Sequence, residues 1–228
     1  MIGIIGAMQS ETEALISRLV SPEKENVSGV AYTRGMLEGQ EVVIATCGVG
    51  KVFAAICAQT MILRYTPALI INTGVAGSLS KKLGIGDVAV AASLVQHDMD
   101  TSPLGDPVGL VSGINKVYFE ADASIAARLA ACVKEEGANA LLGVIASGDQ
   151  FICDSAKKAW IADTFSAVAC EMEGAAIAHV ATVNNTPFAV LRAISDEADG
   201  EASMDFPTFV RIAAARSVAV LCRFLREM

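Results

Sequence analysis

Residues 68–77 read Ala-Leu-Ile-Ile-Asn-Thr-Gly-Val-Ala-Gly, and this stretch decides the fold. Its first part, Ala68–Asn72, is an apolar run of strand length without polar alternation, which indicates a strand buried on both faces. The glycines that follow indicate a loop at the carboxyl end of that strand. Because a strand covered on both faces needs helices above and below its sheet, the stretch predicts an α/β fold.

The same alternation extends along the whole chain. Further apolar runs predict strands at Ile2–Ile5, Val42–Thr46, Val88–Val95, Ala140–Ala146, Ala167–Cys170 and Phe188–Ile194. Helical spacing lies between them, at Glu11–Leu19, Val52–Tyr65, Ser124–Glu136, Ser155–Ala162, Gly174–Val183 and Phe206–Arg226. Tyr32–Leu37 and Glu41–Thr46 flank a short turn and predict a hairpin, which makes the sheet mixed. Without a repeat or a linker, we expect one domain over residues 1–228.

The composition is unusually apolar, with 53% hydrophobic and 18% charged residues and a mean hydropathy of +0.49. The longest uncharged run, Gly174–Leu191, contains His179, two asparagines and Pro187, so it indicates a helix, a turn and a strand and not a membrane span. Residues 1–8 carry no basic segment of a secretory signal, so we expect a cytoplasmic protein. Burial against a second copy would cover the apolar surface.

Charge and cysteine usage narrow the partners. A net charge of −8 and a pI near 4.8 give no basic surface for nucleic acid or an anionic membrane, which favours a small neutral ligand. The six cysteines lie scattered in mostly apolar segments without a C-x-x-C pair, as is usual for reduced core thiols. His97-Asp98-Met99-Asp100 is the one metal-like cluster in a chain with two histidines, so we expect no metal.

Two glycine-rich segments resemble nucleotide-binding loops but lack their required residues. Gly48-Val49-Gly50-Lys51 has Ala45 where a phosphate-binding loop needs glycine, and Val52 where it needs serine or threonine. The glycines at positions 3 and 6 lie within and at the end of a strand and do not cross into a helix, unlike a dinucleotide fingerprint. We therefore expect these segments to bind neither a nucleoside triphosphate nor a dinucleotide.

Polar residues and glycines cluster where the predicted strands end, which is where open α/β sheets bind ligands. These strand ends are Gly6–Met8 with Glu11, Gly48–Gly50, Asn72–Gly77, Ser147–Ile152, Glu171–Glu173 and Ser195-Asp196. A buried carboxylate at Asp196 is costly unless it is used or paired. A structural role stays open for Glu11 and for one of Glu171 and Glu173, because an acid in the first turn of a helix favours the helix dipole.

Five segments, taken in order, resemble the bacterial 5′-methylthioadenosine/S-adenosylhomocysteine nucleosidases, and the resemblance covers nearly the whole chain. They are Gly3–Met8 with Glu11, Ile70–Gly74, Ser147–Asp149 with Phe151-Ile152, Glu171–Glu173 and Arg192–Asp196. The resemblance implies a nucleoside phosphorylase-like α/β fold in which helices flank a mixed central sheet. It also implies a homodimer that hydrolyses adenine thio-nucleosides without a cofactor.

The resemblance implies a role for each matching residue. Asp196 would protonate adenine at N7 with help from Ser195, and Glu11 would position and activate the attacking water. The remaining pocket residues would bind substrate: Glu173 the ribose hydroxyls, Phe151 and the backbone of Ile152 the adenine, Met172 the ribose, Met8 the thio-substituent, with Glu171, Ala76, Gly77 and Phe206 completing the pocket. Thr101 and Leu104 would reach the pocket of the neighbouring subunit.

Two positions depart from the family pattern. Val75 replaces a small polar residue, so a hydrogen bond from that side chain is lost. Leu104 replaces an aromatic residue in the segment that begins at Asp98, which changes the shape of the wall supplied by the partner subunit.

Other functions remain in competition. A purine nucleoside phosphorylase would need arginine or lysine side chains converging on phosphate, and the sequence instead places Glu11 and Ile71-Asn72 in the relevant segments. A non-catalytic nucleoside-binding module would need the pocket but not Glu11, Glu173 and Asp196 together. The order of preference among 5′-methylthioadenosine, S-adenosylhomocysteine, 5′-deoxyadenosine and aminodeoxyfutalosine stays open.

Overall fold

The structure, a computed structural model, describes the backbone of residues 1–196 and 206–228 and the side chains of residues 1–195 and 211–228. Its strands are β1 (Ile2–Gly6), β2 (Val20–Val27), β3 (Val30–Leu37), β4 (Gln40–Thr46), β5 (Leu69–Ser78), β6 (Val88–Gln96), β7 (Tyr118–Glu120), β8 (Ala140–Ser147), β9 (Ala167–Glu171) and β10 (Phe188–Asp196). Its helices are α1 (Gln9–Ile16), α2 (Lys51–Tyr65), α3 (Ala123–Glu135), α4 (Ser155–Phe165), α5 (Gly174–Val183) and α6 (Phe206–Arg226).

The ten strands formed by the described residues belong to one sheet, and the prediction that this sheet is mixed is confirmed. On one side of β5 the order runs β1, β4, β3, β2, with parallel pairs at β5–β1 and β1–β4 and an antiparallel meander through β4, β3 and β2. Beyond β5 the sheet closes on itself, because β5 pairs with both β9 and β10, and β8 and β6 complete the ring. The short β7 pairs with β6 outside this ring.

Helices cover both faces of the sheet, which confirms the prediction made from the continuous apolar runs. Neighbouring residues of one strand supply opposite cores: Ile5 packs in the cluster that contains the buried side chains of α2 and α5, and Ile4 packs in the cluster that contains those of α1, α3 and α6. Both side chains are fully buried. Full burial of an aliphatic side chain stabilises a fold by about 1.5–3 kcal/mol, so both layers contribute to stability.

The predicted hairpin is confirmed as β3 and β4, joined at Glu38 and Gly39, which both have positive φ angles. The prediction that the strand ends at Asn72 and a glycine loop follows is wrong, because β5 continues through the glycines to Ser78. Residues 73–77 pair with β10 along their length, so their backbone hydrogen bonds are satisfied by a strand and not by a turn. The sequence pattern also missed β2, a mostly exposed edge strand, and the three-residue β7.

Two further features bear on the state of the cysteines and on the apolar composition of the chain. All six cysteines are free thiols, and Cys153 is the exposed one among them. None of the helices formed by the described residues is both long and apolar enough to cross a membrane.

Candidate active site

A cavity of about 240 Å³ lies beside the second half of β5. Segments from β1, β8, β9 and β10 converge on it, together with the start of α1. The lining residues are Ala7, Met8, Glu11, Val49, Val75, Ala76, Gly77, Gln150, Phe151, Ile152, Cys170, Glu171, Met172, Glu173 and Ser195. The structure thus brings together the predicted site residues between Met8 and Ser195 that were assigned to this chain's own pocket, although their roles stay predictions.

Glu11 is held in the cavity wall by backbone amides. One carboxylate oxygen, Oε2, accepts hydrogen bonds from the N–H groups of Ala7 at 2.7 Å and Met8 at 2.9 Å. The other, Oε1, accepts from the N–H of Val75 at 3.1 Å, and the residue is 3% exposed. Both oxygens therefore have fixed directions, which a base that positions a small nucleophile needs. Glu11 is therefore more than an acid in the first turn of α1, because it also links that helix to β5.

Arg192, for which no role was predicted from the sequence, lies beside Glu11 and Glu171. It is fully buried on β10 and donates through Nη2 to Asn72 Oδ1 at 2.6 Å and to Glu171 Oε2. A Cβ added at Gly74 would lie 2.0 Å from Arg192 Nη1 and 2.7 Å from Glu11 Oε1, so only glycine leaves room for both side chains. The available signal was a guanidinium within an otherwise apolar strand, since a buried charge needs partners.

Glu171 uses its carboxylate inside the fold. It accepts from the N–H groups of Glu173 and Gly174 at the start of α5, from the hydroxyl of Ser147, and from Arg192. The N-terminus of a helix has unsatisfied N–H groups and a partial positive charge, both of which a carboxylate satisfies. These contacts favour the structural alternative for Glu171, although the residue also borders the cavity.

Glu173 is the neighbouring carboxylate and has fewer partners. Its Oε1 accepts from the Gly50 N–H at 2.9 Å, and its Oε2 lies 3.6 Å from Arg192 Nη2. Burial and the charge of Glu171 raise the pKa of Glu173 to about 7, against the opposing effects of Arg192 and the Gly50 amide. A carboxylate with a pKa near neutrality changes charge in the physiological range, which is common in functional sites.

Other parts of the cavity lining are apolar. Phe151 is 60% exposed at the mouth, and Met8 and Met172 are partly buried. An exposed aromatic ring beside methionine thioethers is suited to stacking on a flat base and packing on a thio-substituent. No lysine or arginine is among the described lining residues, so the cavity combines an apolar wall with carboxylates.

The end of β10 supplies the remaining predicted residues. Ser195 is 3% exposed, and its hydroxyl lies 3.5 Å from the carbonyl oxygen of Ala76. The backbone of Asp196 pairs with Gly77 after an irregularity in the strand, a feature that is frequent next to active sites. The side chains of Asp196 and Phe206 lie outside the described residues, so their predicted positions in the pocket are not tested.

Thr101 and Leu104 do not line the cavity of their own chain. Leu104 ends a short 3₁₀ helix and is 84% exposed, and the Thr101 hydroxyl donates to Asp106 at 2.8 Å. The chain therefore leaves a large apolar side chain in solvent where the sequence analysis expects a contact with a second subunit.

A family model described as the phosphorylase superfamily matches residues 1–226. Similar curated proteins include the 5′-methylthioadenosine/S-adenosylhomocysteine nucleosidases of Staphylococcus saprophyticus, 39% identical, and Bacillus cytotoxicus, 38% identical. Each alignment covers 100% of this chain, and 100% and 99% of the respective relative.

Solved structures agree with these sequence matches. The Neisseria meningitidis 5′-methylthioadenosine/S-adenosylhomocysteine nucleosidase in complex with methylthio-immucillin-A has a TM-score of 0.94 at 33% identity, with coverage of 100% of this chain and 99% of that chain. A structure described as the futalosine hydrolase of Helicobacter pylori also has a TM-score of 0.94, at 36% identity, and covers 100% and 97%. The similarity therefore extends over the entire chain.

Proposed function

The chain belongs to the phosphorylase superfamily and, within it, to the 5′-methylthioadenosine/S-adenosylhomocysteine nucleosidases, and from this membership we propose its reaction. It hydrolyses the N-glycosidic bond of 5′-methylthioadenosine and S-adenosylhomocysteine, and also of 5′-deoxyadenosine, releasing adenine and the corresponding ribose. The observation that carries this proposal is the cavity in which Glu11 and Glu173 face an apolar, aromatic wall. Its cellular role is the recycling of by-products of S-adenosylmethionine and the salvage of methionine, in the cytoplasm, where thiols such as these six stay reduced.

In the proposed mechanism, one carboxylate protonates the leaving adenine and another activates the attacking water. Asp196, assisted by Ser195, protonates N7, so that adenine leaves as a neutral base when the C1′–N9 bond breaks. Glu11 takes a proton from a water molecule, whose oxygen bonds to C1′. Positive charge develops on the ribose as the bond breaks, and carboxylates held in a buried site stabilise such a charge.

Binding and orientation fall to the other cavity residues. Glu173 accepts hydrogen bonds from the ribose hydroxyls, which requires its charged form. Phe151 stacks on adenine, the backbone of Ile152 meets its Watson–Crick edge, and Met8 and Met172 pack on the sugar and its thio-substituent. Ala76, Gly77 and Phe206 complete the proposed pocket.

We expect adenine release to be independent of phosphate. A phosphorylase must bind a phosphate dianion, whereas the described lining of this cavity presents carboxylates and no cationic side chain. The measurement is product analysis with and without phosphate, on 5′-methylthioadenosine, S-adenosylhomocysteine, 5′-deoxyadenosine and aminodeoxyfutalosine. A ribose-1-phosphate product that requires added phosphate would show that the phosphorylase alternative is correct. Preferential turnover of aminodeoxyfutalosine would favour the activity named for the Helicobacter neighbour.

The proposed assembly is a homodimer in which each subunit completes the other's pocket. The support is an exposed apolar face on α2 and α5, in addition to Leu104. Its members are Val52, Phe53, Ile56, Leu63 and Val183, each more than two-fifths exposed. Large exposed apolar surfaces are rare on monomeric proteins, and closed two-fold dimers are the commonest way to cover them.

Replacing Leu104 with phenylalanine tests this arrangement. The larger ring is expected to narrow the 5′ end of the partner's pocket, so it should lower kcat/KM for S-adenosylhomocysteine relative to 5′-methylthioadenosine by about tenfold. Adenine recognition should change less, because the purine is bound at the other end of the pocket. Steady-state kinetics on both substrates, with Leu142→Phe as an exposed control, measures the ratio. An unaltered ratio, or a fully active monomer, would contradict the shared pocket.

A further inference from the structure

The Gly50 amide is the hydrogen-bond donor that the protein directs at Glu173, across a distance of 2.9 Å. Gly50 has φ +102° and ψ 160°, a backbone conformation that residues with a side chain rarely adopt. It is also the residue immediately before α2, and it has no side chain to cap that helix. The orientation of this amide therefore depends on contacts from other parts of the chain.

Asp149 supplies the missing cap from the loop after β8. Its Oδ1 accepts from the Lys51 N–H, the first amide of α2, at 2.7 Å. A Cβ added at Gly50 would lie 3.1 Å from the same oxygen, so the carboxylate lies directly against the Gly50 backbone. Asp149 thereby fixes the peptide next to the one that donates to Glu173.

Asp98, which follows β6, connects Asp149 to the side chain of Lys51. The Asp149 N–H donates to Asp98 Oδ2 at 2.9 Å, and Lys51 Nζ donates to Asp98 Oδ1 at 2.6 Å and to Gln96 Oε1 at 3.1 Å. Burial raises the pKa of Asp98, but the hydrogen bonds from Lys51 and from the Asp149 amide outweigh this effect and hold the pKa below its usual value. Three charged residues, far apart in the chain, thus form one bonded cluster, which we call the 51–98–149 clasp.

The clasp is connected to two parts of the cavity lining, although its own residues are not among the lining residues. On one side it holds the Gly50 amide against Glu173. On the other, Asp149 directly precedes Gln150 and Phe151 in the cavity lining. Gly148 packs against the buried His97 ring so closely that a Cβ there would lie 2.4 Å from Nε2, so this loop has little freedom to shift.

We propose that Lys51, Asp98 and Asp149 are positioning residues for the reaction, which keep the Gly50 N–H aligned on Glu173 and so maintain the charged carboxylate that binds ribose. This inference rests on the proposed function and assigns a task to residues that do not touch substrate. A merely structural clasp would contribute to stability through its helix cap and would leave the chemistry of Glu173 unchanged.

The pH dependence of activity separates the two roles. The Gly50 hydrogen bond favours the charged form of Glu173, with Arg192 acting in the same sense and Glu171 and Glu11 in the opposite one. Cys47 also faces this carboxylate, and burial raises the pKa of its thiol, so it stays neutral. Loss of the Gly50 bond would raise the pKa of Glu173 further above about 7. Because activity needs the carboxylate, the acidic limb of kcat/KM against pH would move to higher pH.

The experiment compares Asp149→Ala with Asp149→Asn. Alanine removes the cap and is expected to lower kcat/KM for 5′-methylthioadenosine roughly tenfold at neutral pH, because small misplacements of substrate-orienting groups are costly. The acidic limb should move up by about half a pH unit, since one hydrogen bond is lost in part. Asparagine keeps an oxygen that accepts from the Lys51 amide, so it should restore most of both quantities.

Asp122→Ala is the matched control, because the Asp122 side chain caps α3 by accepting from the N–H groups of Ser124 and Ile125, away from the cavity. It should lower Tm like Asp149→Ala but leave kcat/KM and its acidic limb unchanged. Lys51→Met, which removes the bonds to Asp98 and Gln96, gives a second variant if Asp149→Ala folds poorly, with a smaller shift in the same direction.

Unchanged kcat/KM and pH limb in folded Asp149→Ala and Lys51→Met, with normal wild-type turnover, would overturn the positioning role alone. An asparagine variant as impaired as the alanine variant would do the same. Wild-type protein that releases no adenine from any of the adenine thio-nucleosides would instead overturn the proposed function, and the inference with it.

Discussion

Glutamine at position 11 is expected to slow adenine release by about 10²–10⁴-fold while preserving the fold, which is the range over which general bases contribute. Both carboxylate oxygens of Glu11 accept from backbone N–H groups, of Ala7 and Met8 on one side and Val75 on the other. A glutamine amide has one oxygen, so its NH₂ group must face at least one of these donors. The variant therefore loses both the base and the fixed direction of its oxygens.

Single-turnover kinetics and binding of a stable adenosine thioether analogue measure the two aspects of this prediction separately. Glu13→Gln is the matched control, because Glu13 lies on the same helix and is exposed. Analogue binding should remain close to wild type in Glu11→Gln. If affinity and rate fell together by the same factor, Glu11 would be a substrate contact and not the residue that activates water.

Asparagine at position 196 is expected to reduce the rate by a similar factor, about 10²–10⁴-fold, because an amide cannot transfer a proton to N7 of adenine. The loss should depend on the leaving group. A p-nitrophenyl 5-methylthioriboside leaves without protonation of a purine, so the variant should hydrolyse it at close to the wild-type rate.

The comparison of the two substrates in wild type and Asp196→Asn is the decisive measurement, with circular dichroism to verify folding. Asp163→Asn removes a charge from an exposed position and serves as the control. Equal losses on both substrates would indicate a defect in binding or folding, and a near-normal rate on 5′-methylthioadenosine would place the general acid elsewhere.

Much of the fold follows from local sequence because the buried strands are continuous apolar runs. The predicted strand Ala68–Asn72 overlaps β5 from Leu69 onward, Phe188–Ile194 falls within β10, and α5 has its predicted bounds, Gly174–Val183. The hairpin follows from a short turn between two β-rich segments. In each case the signal is burial or turn chemistry, which a few neighbouring residues express.

The strand segments that were not predicted from the sequence depend on tertiary contacts. β2 contains Pro22 and several charged residues, and it forms a strand because the edge of β3 offers it backbone partners. The glycines of β5 suggest a loop, yet they remain in a strand because β10 pairs with them and Arg192 occupies the space beside Gly74. Such pairings join residues far apart in the sequence, so no local pattern contains them.

The candidate site, like the fold, was predictable from the sequence only in part. The carboxylates were predictable as polar groups at strand ends, and Glu11, Glu171 and Glu173 do meet at one cavity. The different environments of these carboxylates were not predictable, because they depend on which backbone amides and which guanidinium approach each carboxylate. Arg192 was missed since its role depends on Asn72 and Glu171, which reach it only in the folded sheet.

The ribosome synthesises this chain from its amino end, so β5 emerges long before β9 and β10 have been made and can pair with it. One flank of β5 can pair early with β1, but the flank reserved for β10 stays open, and unpaired apolar strands promote aggregation during synthesis. Glu11 and Glu171 likewise remain hydrated on the nascent chain until β10 delivers the guanidinium of Arg192. The cavity is therefore assembled late, in the same step that closes the ring of strands, and a chain interrupted before β10 would contain neither.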